Sequence, residues 1–572
     1  MSPANKQPAS LTTTLVLFNT LALLLVAMWF RCRALDAIPG INGDEAWYGV
    51  QAWELLHGGR PSLHTPTGNL LNPFFCGPLL LLQACFPPSI VVLRAVSLLS
   101  GLLALAVNWW LCRWVFDHRT ALVSTLGLAV LPIDIAYSRF AWDASQSLLA
   151  TLPVLYLSLA AVRFPARHER LTALAILALV VAVVVHPTNI LAGAAIAAAL
   201  AMRWRQLRAS PRSLLLVVLA LLALVIWKTC LIKAPAMDFA QRVEQLHELA
   251  SPARWSRAAI LYGQLFSGET IYQYIPGTHS WLDWPALGGQ GPWAIGTLLP
   301  WAVLLAAAWG LWRTAVREAG KGDSPVFVGR KLGQSPGRKL GQSPDGSTVL
   351  ATDRALVAAW LLQLAGFMLL AGPRALEPGQ ERYALCLLAP AIVLAARAAA
   401  VLSMRSRRWQ WLTLVTAALA AWFFLADYQQ HYFRCFDETG GAAHKTFRTA
   451  VIEPKRAALD YIVKHREPGV TWIVTPAGRD GYWSYWPLRY LALAEHDIRV
   501  VMVDEAASQA ELPRAWADGR VWFVRYDDDA PQWPAFVTAA PAGRGLHRQY
   551  ICDNGGRSAL VLLNAASATG SR

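Results

Sequence analysis

The sequence predicts a polytopic α-helical membrane protein of about eleven spans, with outer juxtamembrane helices and a C-terminal extracytoplasmic α/β domain. Three observations predict it. The 572 residues are 55% hydrophobic and 15% charged, with a mean hydropathy of +0.36, and many segments reach the roughly 20 apolar residues that one bilayer crossing needs. Lys and Arg recur in alternate short loops between those segments, the mark of cytoplasmic loops. Beyond residue 428 the apolar runs shorten to strand length. The net charge of +15 therefore reads as a topology signal. Nucleic acid is excluded as a partner, because the cations lie between spans rather than on one face.

Spans are expected near 11–30, 94–112, 120–137, 145–162, 171–187, 188–202, 213–231, 293–312, 355–372, 383–402 and 409–426. No small-x-small cleavage site follows the first, so it reads as an uncleaved anchor. With the N-terminus inside, the inner loops carry Arg113 and Arg119; Arg163, Arg167 and Arg170; Arg203, Arg205, Arg208 and Arg212; Arg313, Arg317 and Lys321; and Arg405, Arg407 and Arg408. Arg31 and Arg33 run against this rule, outside the first span. The stretch 71–88 holds Pro73, Pro78, Pro87 and Pro88. A crossing there would invert every later loop, so it is expected to be a juxtamembrane or re-entrant helix on the outer face. The transmembrane region is then 1–427, with a first outer loop at 31–93 and a cytoplasmic linker at 313–354. That linker repeats GRKLGQSP in tandem and is rich in Gly, Ser and Pro, a composition that builds no core.

The outer domain, 428–572, is expected to place strands at 471–476, 498–504, 521–526 and 559–564, with helices near 452–465 and 483–495. No glycine-rich phosphate loop follows a strand, so no nucleotide is assigned. The chain has eight cysteines and no CxxC pair, which leaves zinc and redox motifs unsupported. Cys435 and Cys552 are the two in the outer domain and are expected to form a disulfide; two free thiols are the plain alternative.

Acidic residues at span ends carry the chemistry. Charge beside hydrocarbon is costly and needs a reason. Asp44 and Glu45 follow the first span among Trp47, Tyr48 and Trp53. A solvated loop pair is the plain reading; a partly desolvated general base is the functional one. Asp143 stands four residues after Arg139, so a helical ion pair explains both, while Arg139 could equally hold an anionic headgroup. Arg374 and Arg382 sit at an outer span boundary, where long cations commonly snorkel. His186, before Pro187, reads first as a structural hydrogen-bonding group. The loop 232–292 groups Tyr272 and Tyr274 with Glu269, His279 and Asp283; aromatics there read as belt anchors or as a substrate lid. Tyr48, His186, Glu269, Tyr272 and Tyr274 are the candidate substrate contacts.

An ordered set of motifs resembles the GT-C glycosyltransferases of family 39, the protein O-mannosyltransferase and aminoarabinose transferase group, in its bacterial branch of unassigned specificity. The carriers are GDEAWYG, NPFFCGPLLLL, LRAVSLLSGLLALAVNWWL, LPIDIAYSRFAWDASQSLL, the HPTN turn and ERYALCLLAP, which cover roughly residues 10–400 in order. The resemblance implies a membrane enzyme that moves a sugar from a polyprenyl-phosphate donor to a hydroxyl of a glycan, lipid or protein acceptor on the extracytoplasmic face, with inversion. Asp44 takes the place of the first-loop catalytic aspartate, with Glu45 beside it. Asp143 matches the second acidic position, and Arg382-Tyr383 the arginine-tyrosine pair near the lipid. Arg139 and Arg374 join them as donor-phosphate contacts. Some relatives use a divalent metal; this chain shows no clear ligand set, so no cofactor is assigned and a divalent metal stays open as the alternative. The alternative class is a transporter or lipid-linked-sugar flippase, which buries its polar site near the bilayer midplane. Here the spans' middles are nearly charge-free, with Asn108 and Gln146 the main polar exceptions. A third reading is an inactive scaffold whose outer domain does the binding.

Overall fold

The computed structural model describes residues 11–62, 64–66, 70–204, 251–283, 295–319, 346–376, 380–439, 453–506, 509–527, 544–552 and 556–567, with a few isolated positions between them. Seven helices among the described residues are long and apolar enough to cross a membrane, and shorter apolar helices cover Phe18–Cys32, Pro73–Cys85 and Pro187–Met202. The expected span at 213–231 and the duplicated octapeptide lie outside the described residues.

Helix α1 (Leu11–Cys32) leads to α2 (Gly43–Leu56) and α3 (Pro73–Cys85). At 13 residues α3 is too short to cross, as the proline spacing predicts. Helix α4 (Ile90–Val115) follows. The expected third span is two helices, α5 (His118–Val130) and α6 (Pro132–Tyr137), because Pro132 cannot continue the hydrogen-bond ladder and frees the carbonyl four residues back. Arg31 fills that break. It donates to Leu128 O at 3.4 Å and Ala129 O at 2.7 Å, and pairs with Asp134 at 2.5 Å. Arg31 is fully buried, so its departure from the basic-loop rule has a structural cause.

Helices α7 (Ser147–Arg163), α8 (His168–Val185) and α9 (Gly193–Met202) continue the bundle. Then come α10 (Pro252–Ser267), α11 (Glu269–Tyr274), α12 (Ile295–Ala319), α13 (Gly346–Leu370), α14 (Leu388–Ser403) and α15 (Arg407–Tyr428). The last passes through a π turn, Gln429–Arg434, into α16 (Cys435–Thr439). The helix thus outruns the expected boundary at 428.

The C-terminal part holds α17 (Glu453–His465), α18 (Gly478–Leu491) and a sheet of β1 (Thr471–Thr475), β2 (Ile498–Met502), β3 (Val521–Tyr526), β4 (Arg544–Cys552) and β5 (Ser558–Ser567). Its order is β2-β1-β3-β5-β4. Strand β1 pairs in parallel with β2 and β3, whereas β5 runs antiparallel to β3 and β4. Strand β4, RGLHRQYIC, escapes a search for apolar runs because it is a largely exposed edge strand. The disulfide expectation needs correction. Cys435 and Cys552 are not joined to each other by a disulfide: one sits at the end of the last membrane helix, its thiol donating to Pro276 O at 3.6 Å, and the other ends β4.

Helix α18 faces two cores. Leu488 packs with Ile473 and Trp522 of the sheet. Tyr490 packs with Ile41, Trp47, Val50 and Leu93 of the membrane region. Two glycines of α2 make this approach close. A Cβ at Gly43 would lie 2.6 Å from the Tyr482 ring, and one at Gly49 would lie 2.3 Å from the Tyr490 ring.

Candidate active site

A cleft forms where α2, the α6–α7 connection, the α8–α9 turn and the start of the Glu381–Ser403 helix meet α18. It is lined by Asp44, Tyr48, Asp143, His186, Arg382 and Tyr383, together with Trp47, Thr65, Pro66, Trp142, Ala144 and Tyr482. These lie at one set of helix ends. The basic turns at 113–119, 163–170 and 403–408 lie at the other, as the chain direction through successive helices requires.

The sequence explains how Asp44 reaches the cleft. Asn42 caps α2. Its side chain accepts from the Glu45 amide at 3.0 Å, and Glu45 returns the bond to the Asn42 amide at 3.2 Å. This capping box fixes the first turn and leaves Asp44 facing the opening. The Asp44 carboxylate accepts from Arg382 at 3.2 Å on one oxygen and from the Tyr482 hydroxyl at 2.8 Å on the other. Arg382 is held in place by the faces of Trp142 and Tyr383, 5.7 and 5.2 Å from their ring centres. Tyr383 in turn lies 5.9 Å from the His186 ring, and His186 shares a 2.7 Å hydrogen bond with Thr188.

Asp143 opens the turn before α7 and accepts from the Ala144 amide at 2.8 Å. Burial pushes the Tyr48 phenol well above its ordinary range, and the Asp143 carboxylate beside it adds to the shift. Burial, again with Asp143, pushes the neighbouring Cys76 thiol up to about 12. Both groups therefore stay protonated near neutrality, and Tyr48 lines the cleft with Asp143 as a neutral phenol. The Tyr482 phenol is likewise raised, by burial and then by Asp44.

Several expected site residues lie elsewhere. Glu45 is fully buried. Its oxygens accept from Arg94 at 2.9 and 3.0 Å and from the Ala141 amide at 2.8 Å, besides the cap bond. With its lone pairs filled, it is a fixed anchor and cannot serve as base. Arg139 does not form the expected helical pair with Asp143, because α6 ends at Tyr137 and the chain is extended at Trp142. Instead it donates to the carbonyls of Phe30, Arg31, Ala34 and Ile38 at 2.5–3.3 Å. It ties down the end of α1 and, fully buried, offers nothing to a lipid phosphate. Arg374 falls in the turn Pro373–Leu376, and its side chain lies outside the described residues.

Glu269, Tyr272 and Tyr274 do not line the cleft. Glu269 accepts from Gln273 and the Ser280 amide and meets His279 at 2.5 Å. Ser280 and the Trp281 amide both donate to Asp427 of α15. Tyr272 is buried beside Tyr428 and His431. Asp283, pushed up to about 6 mainly by burial, belongs to the same cluster. These bonds tie the segment to the bundle rather than leaving it as a lid. Among the described residues no three His, Cys, Asp or Glu converge as a metal ligand set.

The sequence reading missed Tyr482 and Trp142. The signal for the first was an aromatic helix, GYWSYW, in the outer domain. For the second it was a Trp immediately before a candidate acid.

No protein-family profile matches the sequence, and no curated protein is significantly similar to it. Solved structures are similar over most of the chain. ArnT from Cupriavidus metallidurans in the apo state is 18% identical, with 97% of this chain and 98% of that one covered and a TM-score of 0.44. ArnT from the same organism bound to undecaprenyl phosphate is 16% identical, covering 99% and 100%, at 0.47. The Archaeoglobus fulgidus oligosaccharyltransferase in the apo form is 15% identical, covering 89% and 69%, at 0.42.

Proposed function

We propose that this chain is a membrane glycosyltransferase that moves a sugar from a polyprenyl-phosphate donor to an acceptor hydroxyl at the extracytoplasmic surface. The observation that carries the reading is the Asp44–Arg382 pair, part-exposed in a cleft at the span ends, with Asp143 in the same cleft.

The roles follow from charge. Phosphate is a good leaving group, so a cation that stabilises the departing charge serves better than a strong acid. Arg382 is that cation, and its planar guanidinium suits phosphate oxygens. Asp44 takes the acceptor's proton. Asp143, with Tyr48 in the same cleft, stabilises the positive charge that builds at the anomeric carbon. Direct displacement across this arrangement inverts that carbon. The polyprenyl chain lies along α3, whose Phe74 and Leu81, with Phe86 just beyond its end, are exposed, and whose Phe75 packs 4.9 Å from the Tyr48 ring.

A transporter would leave polar groups open along the middle of the bundle. Here Asn108 is saturated by Ser124, Thr125 and Tyr156 at 2.7–2.9 Å. Gln146 is bonded to Asn72, Ser100 and the Phe74 carbonyl.

The test is transfer from a radiolabelled lipid donor, with donor binding measured separately. Asp44→Asn is expected to slow transfer about 10²–10⁴-fold and to leave donor binding intact; a wild-type rate would sink the assignment. The basic turns further support a cytoplasmic 313–354 and a sheet domain outside. Reporter fusions at Gly337 and Gly555 are expected on opposite sides, and finding both on one side would overturn that scheme.

A further inference from the structure

The C-terminal domain does more than dock on the membrane region: it delivers a hydroxyl to the group read above as the base. We infer that Tyr482 is a positioning residue that fixes the Asp44 carboxylate for proton abstraction, so the active site is complete only with the C-terminal domain in place. The inference rests on the proposed base role of Asp44.

Four observations support it. The Tyr482 hydroxyl donates to one Asp44 oxygen at 2.8 Å, while Arg382 holds the other at 3.2 Å. The Tyr482 ring sits close against α2 in space that only a glycine leaves open, since a Cβ at Gly43 would lie 2.6 Å from it. Helix α18 is anchored two turns further on, where Tyr490 donates to Ser89 O at 2.9 Å and its ring fills the space above Gly49. Arg489 adds an ion pair to Glu54 of α2.

The two bonds to Asp44 have different fates. A donor phosphate competes for Arg382 and releases the oxygen it held. The acceptor hydroxyl then donates to that oxygen, and its proton moves there as the new C–O bond forms and the sugar–phosphate bond breaks. Throughout, Tyr482 keeps the other oxygen fixed, so the carboxylate does not rotate away from the acceptor. A neutral phenol performs this role without placing a second charge beside the phosphate.

The experiment is a double-mutant cycle on the full chain, with Tyr482→Phe, Asp44→Asn and the combination. Transfer from a radiolabelled polyprenyl-phosphate sugar and donor binding are both measured, and rates are normalised to the number of donor-binding sites, which removes any loss through misfolding. Tyr482→Phe alone is expected to lower kcat roughly ten- to a hundred-fold, the effect of one hydrogen bond to a charged group, with donor affinity unchanged. In the Asp44→Asn background it is expected to have no further effect. Equal losses in both backgrounds would mean that Tyr482 acts through some other group, and would overturn the inference. A wild-type rate for Tyr482→Phe, or a faster one, would also overturn it; the faster rate would show the hydroxyl blocking the acceptor's place. Those results leave the base reading standing if Asp44→Asn alone is slow. If Asp44→Asn transfers at the wild-type rate, the base reading fails, and this inference with it.

Discussion

Asp44 and Glu45 are neighbours in sequence, each paired with an arginine, yet they serve opposite ends. Glu45 and Arg94 are both fully buried, meet twice at 2.9 and 3.0 Å, and have further backbone partners. Asp44 and Arg382 touch once at 3.2 Å, with side chains 24% and 18% exposed. The first pair cannot release either partner, because a lone charge in that interior would be strongly penalised. The second can, since water and an incoming anion reach it. Burial and saturation, rather than the presence of an ion pair, separate the closed carboxylate from the open one.

Breaking the closed pair gives the largest expected effect. Glu45→Ala leaves Arg94 buried without its counter-charge and removes half of the capping box. The expected loss is about 3–5 kcal/mol, seen as aggregation or a collapsed melting transition in detergent, whereas Asp44→Asn melts like the wild type. Similar melting of the two variants would erase the distinction.

The open pair is sharpened by Arg382→Ala. Donor binding is expected to weaken by about ten- to a hundred-fold, the worth of charge-assisted bonds to one anion, while the protein stays folded. Titration with polyprenyl phosphate lacking the sugar reads this directly. Unchanged affinity would move the phosphate contact to another residue.

The smallest expected effect tests how firmly α18 is seated over the open pair. Gly49→Ala drives a methyl group into the Tyr490 ring, an overpacking of about 1–3 kcal/mol. Melting temperature and transfer rate are both expected to fall. A stable, fully active variant would mean that the α2–α18 approach can loosen at no cost to the site.

The sequence carried much of this. The positions of the spans follow from apolar length, and the clustering of Asp44, Asp143, His186 and Arg382 at one set of helix ends follows from counting crossings. Strands β1, β2, β3 and β5 were legible because they are apolar; β4 was not, because an edge strand needs no apolar run. The fate of Glu45 was also within reach. Asn42 and Glu45 stand at capping-box spacing, which binds the Glu45 side chain to the helix start and leaves Asp44 free. The arginines were harder. Arg139 looks like a lipid ligand by its place in the chain, and that it clasps the end of α1 depends on where that helix stops.

By itself, then, the sequence determined which segments form long apolar helices and at which helix ends the acids gather, since both follow from hydropathy and charge along the chain. The tertiary structure alone decided which groups meet. Arg382 and Tyr482 lie 338 and 438 residues from Asp44, and nothing local in either segment encodes its partner. They converge because two glycines of α2 admit the aromatic face of α18, and because Trp142 and Tyr383 hold the guanidinium of Arg382 over the cleft.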